Sequence, residues 1–192
     1  MGWLYTHKMP EESVKDFFKR QFDFDNSNRK GEVLECKVVK LRTAYIAFKV
    51  INRETNTKKI RAIVCLLDYR SNEYQNIGYK DMDESMLPNA QECPQSILKL
   101  LTDTDNENAI EWRQACRDTI KERKTNNNQY TRLKKILQKG DIITLKSGHQ
   151  YEFSFVAGRS IVGYSVVRRQ HYRLPARMID FETTRNCVLT TV

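Results

Sequence analysis

Apolar positions change their spacing along this chain, and the changes mark out its elements. Val14, Phe17, Phe18 and Phe22 recur at helical intervals, which predicts a first helix beginning near Pro10, with Glu11 and Glu12 favourably placed against the helix dipole. The polar stretch from Asp23 to Gly31 ends that helix in a loop. From Glu32 to Arg70 the period falls to two. Ala44, Ile46, Phe48 and Val50 alternate with Tyr45, Ala47, Lys49 and Ile51, and a similar alternation runs from Ile60 to Leu67. This predicts an antiparallel meander with strands at 32–40, 43–52 and 58–68. Both residue sets of the third strand are largely apolar, so that strand is expected to be covered on both faces.

Residues 71–95 have no clear period and contain Gly78, Pro88 and Pro94, which predicts an irregular segment. Pro94 opens a short helix through Ile97, Leu98 and Leu101. A second helix at about 106–123 carries Ile110, Trp112, Ala115 and Ile120, and the polar run Lys124–Gln129 reads as a linker or loose turn. Beyond it, Ile142, Ile143 and Leu145, then Tyr151, Phe153 and Phe155, then Ile161 to Val167 read as short strands separated by glycine-containing turns. The expected fold class is α+β: a helix plus a three-stranded antiparallel meander, a helical middle and a small C-terminal β-barrel-like unit. The expected divisions are 1–105, 106–130 and a basic all-β unit at 131–192. Trp3, with Tyr5 close behind, suggests a buried N-terminal strand. That reading is favoured over the myristoylation pattern that Met1–Thr6 formally matches.

With 192 residues, 40% hydrophobic and 30% charged, the composition excludes collagen-like, low-complexity and wholly disordered classes. No apolar run approaches the roughly 20 residues of a membrane span, and no signal peptide is evident, so a cytoplasmic, non-membrane protein is expected. Cys36, Cys65, Cys93, Cys116 and Cys187 are odd in number and contain no C-x-x-C pair, which points to reduced thiols. No metal site or cofactor is expected from their scatter or from that of His7, His149 and His171.

Charge sharpens this picture once it is divided. Residues 1–111 hold 17 Lys and Arg against 18 Asp and Glu, whereas residues 112–192 hold 16 against 6. A basic C-terminal part would attract phosphates, anionic lipid or an acidic protein surface, or it is a solvated face. Arg159, Arg168, Arg169, Arg173 and Arg177 are the candidate nucleic-acid contacts, interleaved with Tyr164, His171 and Tyr172. A small β unit binds nucleic acid when a positive groove follows the backbone and aromatic faces stack bases. Alternatively the aromatics are core and the arginines are surface.

Lys80, Asp83, Glu84 and Ser85 form the densest cluster of functional groups and are the candidate catalytic residues. Asp83 or Glu84 could serve as a general base, with Lys80 stabilising anionic charge. The competing reading is a turn in which the acids cap backbone N–H groups. The chain lacks phosphate-loop, dinucleotide-binding, zinc-protease and nucleophile-elbow signatures.

Met1-Gly2-Trp3, Gly78-Tyr79-Lys80-Asp81-Met82-Asp83-Glu84-Ser85, Cys93-Pro94, Glu111-Trp112-Arg113, Gly140-Asp141 and Tyr172-Arg173-Leu174-Pro175 occur in that order along nearly the whole chain. In these landmarks the chain resembles a family of bacterial, phage and conjugative-element proteins that share a domain of unknown function. Members often carry Gly-Pro after the Met-Asp-Glu-Ser stretch, where this chain has Met86-Leu87-Pro88. The resemblance implies a mobile-element setting, in which small proteins often act on host machinery, nucleic acid or defence components. The expected function is therefore a non-enzymatic binding protein engaging nucleic acid, a host nucleoprotein or a defence component, with nucleic acid or an acidic host protein surface as the partner and counter-defence as one expected role. The alternative is a small hydrolase or nucleotide-modifying enzyme using Lys80, Asp83 and Glu84.

Overall fold

The computed structural model describes residues 2–26, 31–51, 57–69 and 76–184. It is a mixed α+β protein whose chain divides into two compact units, Met1–Ile120 and Lys121–Val192. The first unit is built on a five-stranded antiparallel sheet of β1 (Leu4–Thr6), β2 (Gly31–Val39), β3 (Thr43–Ile51), β4 (Lys58–Asp68) and β5 (Ile77–Asp83), in the order β1-β5-β4-β3-β2. The three expected meander strands are β2, β3 and β4, within a residue or so at each end.

Alternation along β3 and β4 sends side chains to two separate cores. Ala44, Ile46, Phe48, Ile63 and Cys65 pack with Phe17, Phe18 and Phe22 of α1 (Val14–Asp25). Tyr45, Ala47, Ala62 and Val64 pack on the other face with Ile97 and Leu98 of α2 (Gln95–Leu98) and with Trp112 and Cys116 of α3 (Glu107–Ile136). A strand covered on both sides gains burial from both residue sets, which is why β4 is apolar on both faces from Ala62 to Leu67.

Three expectations on this unit are corrected. Helix α1 starts at Val14, not near Pro10, because Ser13 caps it: its hydroxyl oxygen accepts the Asp16 N–H at 3.1 Å. Glu12 instead pairs with Arg20, at 2.8 Å from Nε to Oε1. Residues 77–83, expected to be irregular, form β5. Polar Asp81 hides the strand pattern because it is buried and accepts a hydrogen bond from Asn26 Nδ2 at 3.0 Å. Third, Trp3 is 38% exposed and so not deeply buried. Its neighbour β1 is the strand paired with β5, and Gly78 leaves room for the indole, which lies 3.1 Å from where a Cβ would stand.

The second unit carries β6 (Ile142–Thr144), β7 (Gln150–Ala157), β8 (Ser160–Ser165) and β9 (Gln170–Leu174), antiparallel in the order β6-β7-β8-β9. The expected barrel is corrected to an open four-stranded sheet: among the described residues β6 and β9 do not pair. Closure is unnecessary because the helix covers one face. Ile143, Phe153, Ile161 and Leu174 pack there against Tyr130 and Leu133 of α3. The Tyr130 hydroxyl accepts the Ile161 N–H at 2.6 Å and donates to the Leu174 carbonyl at 2.7 Å, joining helix to sheet.

Helix α3 also includes Lys124–Gln129, the expected linker, without a break in its helical run along the chain. The asparagines there are poor helix formers, but extending an existing helix costs little once both ends are fixed. Ala109, Trp112 and Cys116 are buried towards its start and Tyr130 and Leu133 towards its end. Between them, residues 121–129 contain no buried side chain.

One irregularity in β7 redirects the sheet surface. The register with β8 shifts between Phe153 and Phe155, so that Phe153 faces Gly163 and Phe155 faces Val162. Tyr151 and Phe153 therefore point to the helix-covered side, whereas Phe155 turns to the other side and is 51% exposed.

Candidate functional site

The sequence cluster at 80–85 separates into two places. Lys80 lies on β5 and borders a small hollow of about 130 Å³ with Gly2, Leu4, Asp25 and Asp81. Asp83 instead caps the 3-10 turn Glu84–Met86, with Oδ1 accepting the Ser85 N–H at 3.0 Å and the Ser85 hydroxyl at 2.8 Å. Its Oδ2 lies 3.4 Å from Arg61 Nη1. Glu84 is buried at 1% exposure and receives a two-pronged bond from Arg113, Nε to Oε2 at 2.8 Å and Nη2 to Oε1 at 2.6 Å. Arg113 also donates Nη1 to the Thr102 carbonyl at 2.7 Å.

A hollow of about 290 Å³ opens beside this pair, lined by Lys59, Arg61, Asp83, Ser85, Asp103 and Asp105 among others. Its charges are mixed. Both oxygens of Glu84 are engaged, so the arrangement suits anchoring of the turn to α3 more than proton transfer. Sequence reasoning missed Arg113 as the partner. The signal was its place on the buried helical stripe Ala109, Trp112, Arg113 and Cys116, where a charge needs a buried counter-charge.

Burial also governs the thiols. Cys36, Cys65, Cys93 and Cys116 are buried and free, and desolvation pushes each thiol upward, Cys116 to about 11. Cys187 lies outside the described residues. Among the described residues, no group of three or more His, Cys, Asp or Glu is placed to hold a metal ion, and no helix is long and apolar enough to cross a membrane.

The second constellation lies on the face of the C-terminal sheet turned away from its helix. Glu152, Tyr164 and His171 are direct cross-strand neighbours on β7, β8 and β9, and Phe155, Val162 and Arg173 form the adjacent row. The His171 ring is 5.1 Å from Tyr164 and 5.8 Å from Phe155, centre to centre. A hollow of about 450 Å³ adjoins them, lined by Lys139, Gly140, Glu152, Ser154, Tyr164 and His171. Tyr172 points the other way, edge-on to Tyr151 at 5.6 Å.

The five candidate arginines are all exposed but not contiguous. Arg173 stands on the aromatic face. Arg159 sits in the β7–β8 turn and Arg177 in the 3-10 turn Ala176–Met178, both towards the end of β8 where Ile161 pairs with Leu174. Arg168 and Arg169 sit in the turn between β8 and β9, at the opposite end, beside the exposed Val166 and Val167. Sequence reasoning missed Phe155 and Glu152, because β7 read as regular alternation places Phe155 in the core. By sequence count the first unit holds 19 Lys and Arg against 19 Asp and Glu, and the second 14 against 5. The whole net charge of +9 therefore belongs to the unit that carries the aromatic face.

Comparison of the chain with protein-family models, with curated proteins and with solved structures found no match in any of the three.

Proposed function

We propose that this is a non-enzymatic binding protein that engages nucleic acid through the exposed face of its C-terminal sheet. The observation that carries the reading is the cluster of Tyr164, His171 and Phe155, with Arg173 in the same cross-strand row as Phe155, on a unit of strongly positive charge. Exposed rings offer stacking surfaces worth about 1–3 kcal/mol per base, and the arginines and lysines supply phosphate affinity without sequence preference. In the mobile-element setting implied by the sequence resemblance, the target is a host nucleic acid or nucleoprotein, and counter-defence is the purpose that setting suggests.

Fluorescence anisotropy with labelled single- and double-stranded RNA and DNA at two ionic strengths tests this. Binding should weaken steeply with salt, and Phe155→Ala and Arg173→Ala should each reduce affinity while the melting temperature stays close to that of the parent protein. Absence of binding to every probe at low salt would overturn the proposal.

A further inference from the structure

The hollow beside the aromatic row contains one residue that phosphate attraction does not account for. Glu152 is the single carboxylate on strands β6–β9, and it lines the hollow together with Lys139, Tyr164 and His171. Its carboxylate makes no hydrogen bond or ion pair with any described residue. In a unit of net charge +9, a carboxylate facing the proposed binding surface repels a phosphate backbone. It is suited to a group that presents N–H donors.

We infer that this hollow takes a single unstacked guanine of a single-stranded nucleic acid, with Glu152 reading its Watson–Crick edge. The inference rests on the nucleic-acid reading above and makes it specific. Guanine presents two adjacent donors, N1–H and the N2 amino group, which match the two oxygens of a carboxylate. Adenine and cytosine each present one amino group next to a ring nitrogen that accepts, so only one oxygen is satisfied. Uracil and thymine present a single N–H between two carbonyls, which repel the carboxylate. Tyr164 and His171 supply ring faces on which the base stacks, and Lys139 supplies an ammonium for the flanking phosphate. A volume of about 450 Å³ lies within the range of small-ligand sites. A duplex would keep that edge paired and out of reach, so the ligand is single-stranded.

The test is a set of anisotropy titrations with a labelled U12 RNA and with the same strand carrying one central guanine, adenine, cytosine or inosine, at fixed salt. The guanine strand should bind about tenfold more tightly than U12, as expected when a two-pronged base contact is gained. Inosine, which lacks the N2 amino group, should lose most of that preference. Glu152→Gln should abolish the guanine preference while its U12 affinity equals or exceeds that of the parent protein, because a negative charge has been removed. That result separates base reading from folding, since a misfolded variant would lose both. Two outcomes would overturn the inference while leaving nucleic-acid binding standing: equal affinity of the parent protein for all five strands, or an unchanged guanine preference in Glu152→Gln. No binding to any strand, in RNA or in its DNA counterpart, would remove the underlying reading as well.

Discussion

Two ion pairs of unequal burial show how much a single side chain can matter. Arg113 is 7% and Glu84 1% exposed, so removing either leaves a charge stranded in the core. Arg113→Ala should therefore destabilise the protein by about 3–5 kcal/mol. Asp83→Ala, which removes the side chain that caps the same turn, should cost only about 1 kcal/mol, the usual scale of a lost cap. Urea titration of both variants checks the difference; near-equal losses would contradict the assignment of Glu84 as the anchor and Asp83 as the cap. Glu12 lies nearer the surface. The Arg20 guanidinium holds its carboxyl below the ordinary value of 4.5, with burial opposing. A lowered native pKa makes the carboxylate form stabilising above the unfolded value, and that contribution fades as pH falls through the native one. Arg20 is 36% exposed, so solvent screening limits the contribution to roughly 0.5 kcal/mol. The gap in melting temperature between the parent protein and Glu12→Gln should accordingly be present at pH 6 and narrow steadily as the pH is lowered below 4.5.

At the scale of elements, α3 sets its own stability unevenly. Residues 107–120 and 130–136 hold buried side chains, whereas residues 121–129 hold none and include three consecutive asparagines. Local opening should be cheapest in that stretch. Native-state hydrogen exchange should find amides 122–129 far less protected than those near Trp112 and Leu133, and within α3 brief trypsin treatment should cut at Lys121, Arg123 or Lys124 before Arg117 or Arg132. Replacing Asn126, Asn127 and Asn128 by alanine should slow that cleavage and raise stability by about 1–2 kcal/mol in all, from helix propensity. Uniform protection along α3 would contradict this. The β7 shift is the other decisive local event, since it places Phe155 outside and leaves Phe153 inside.

Across the whole molecule, what the sequence disclosed was what periodicity and charge can encode. The β2–β4 meander was legible because Ala44, Ile46 and Phe48 alternate cleanly, and the charge division was legible by counting. Strand β5 was not, because Asp81 and Lys80 break its pattern and their accommodation depends on distant residues such as Asn26. The reach of α3 was hidden for a related reason: its low-propensity middle is held in helical form by Tyr130 and Leu133, which lie further along the chain. Of the candidate face, Arg173, Tyr164 and His171 were named from the sequence while the other four arginines stand in turns off it, and Phe155 depended on a one-residue shift that no periodic pattern contains. Arg113 illustrates the same limit, since a charge on an apolar stripe signals a partner without naming it. The bare stretch of α3 also has a meaning for how such a chain can change over generations. A recombination crossover between codons 121 and 129 would keep each of the three described hydrophobic clusters whole, since none draws residues from both sides of that stretch. That stretch is thus a natural seam, at which the basic unit could be joined to a different leading unit, or lost, without rewriting a core.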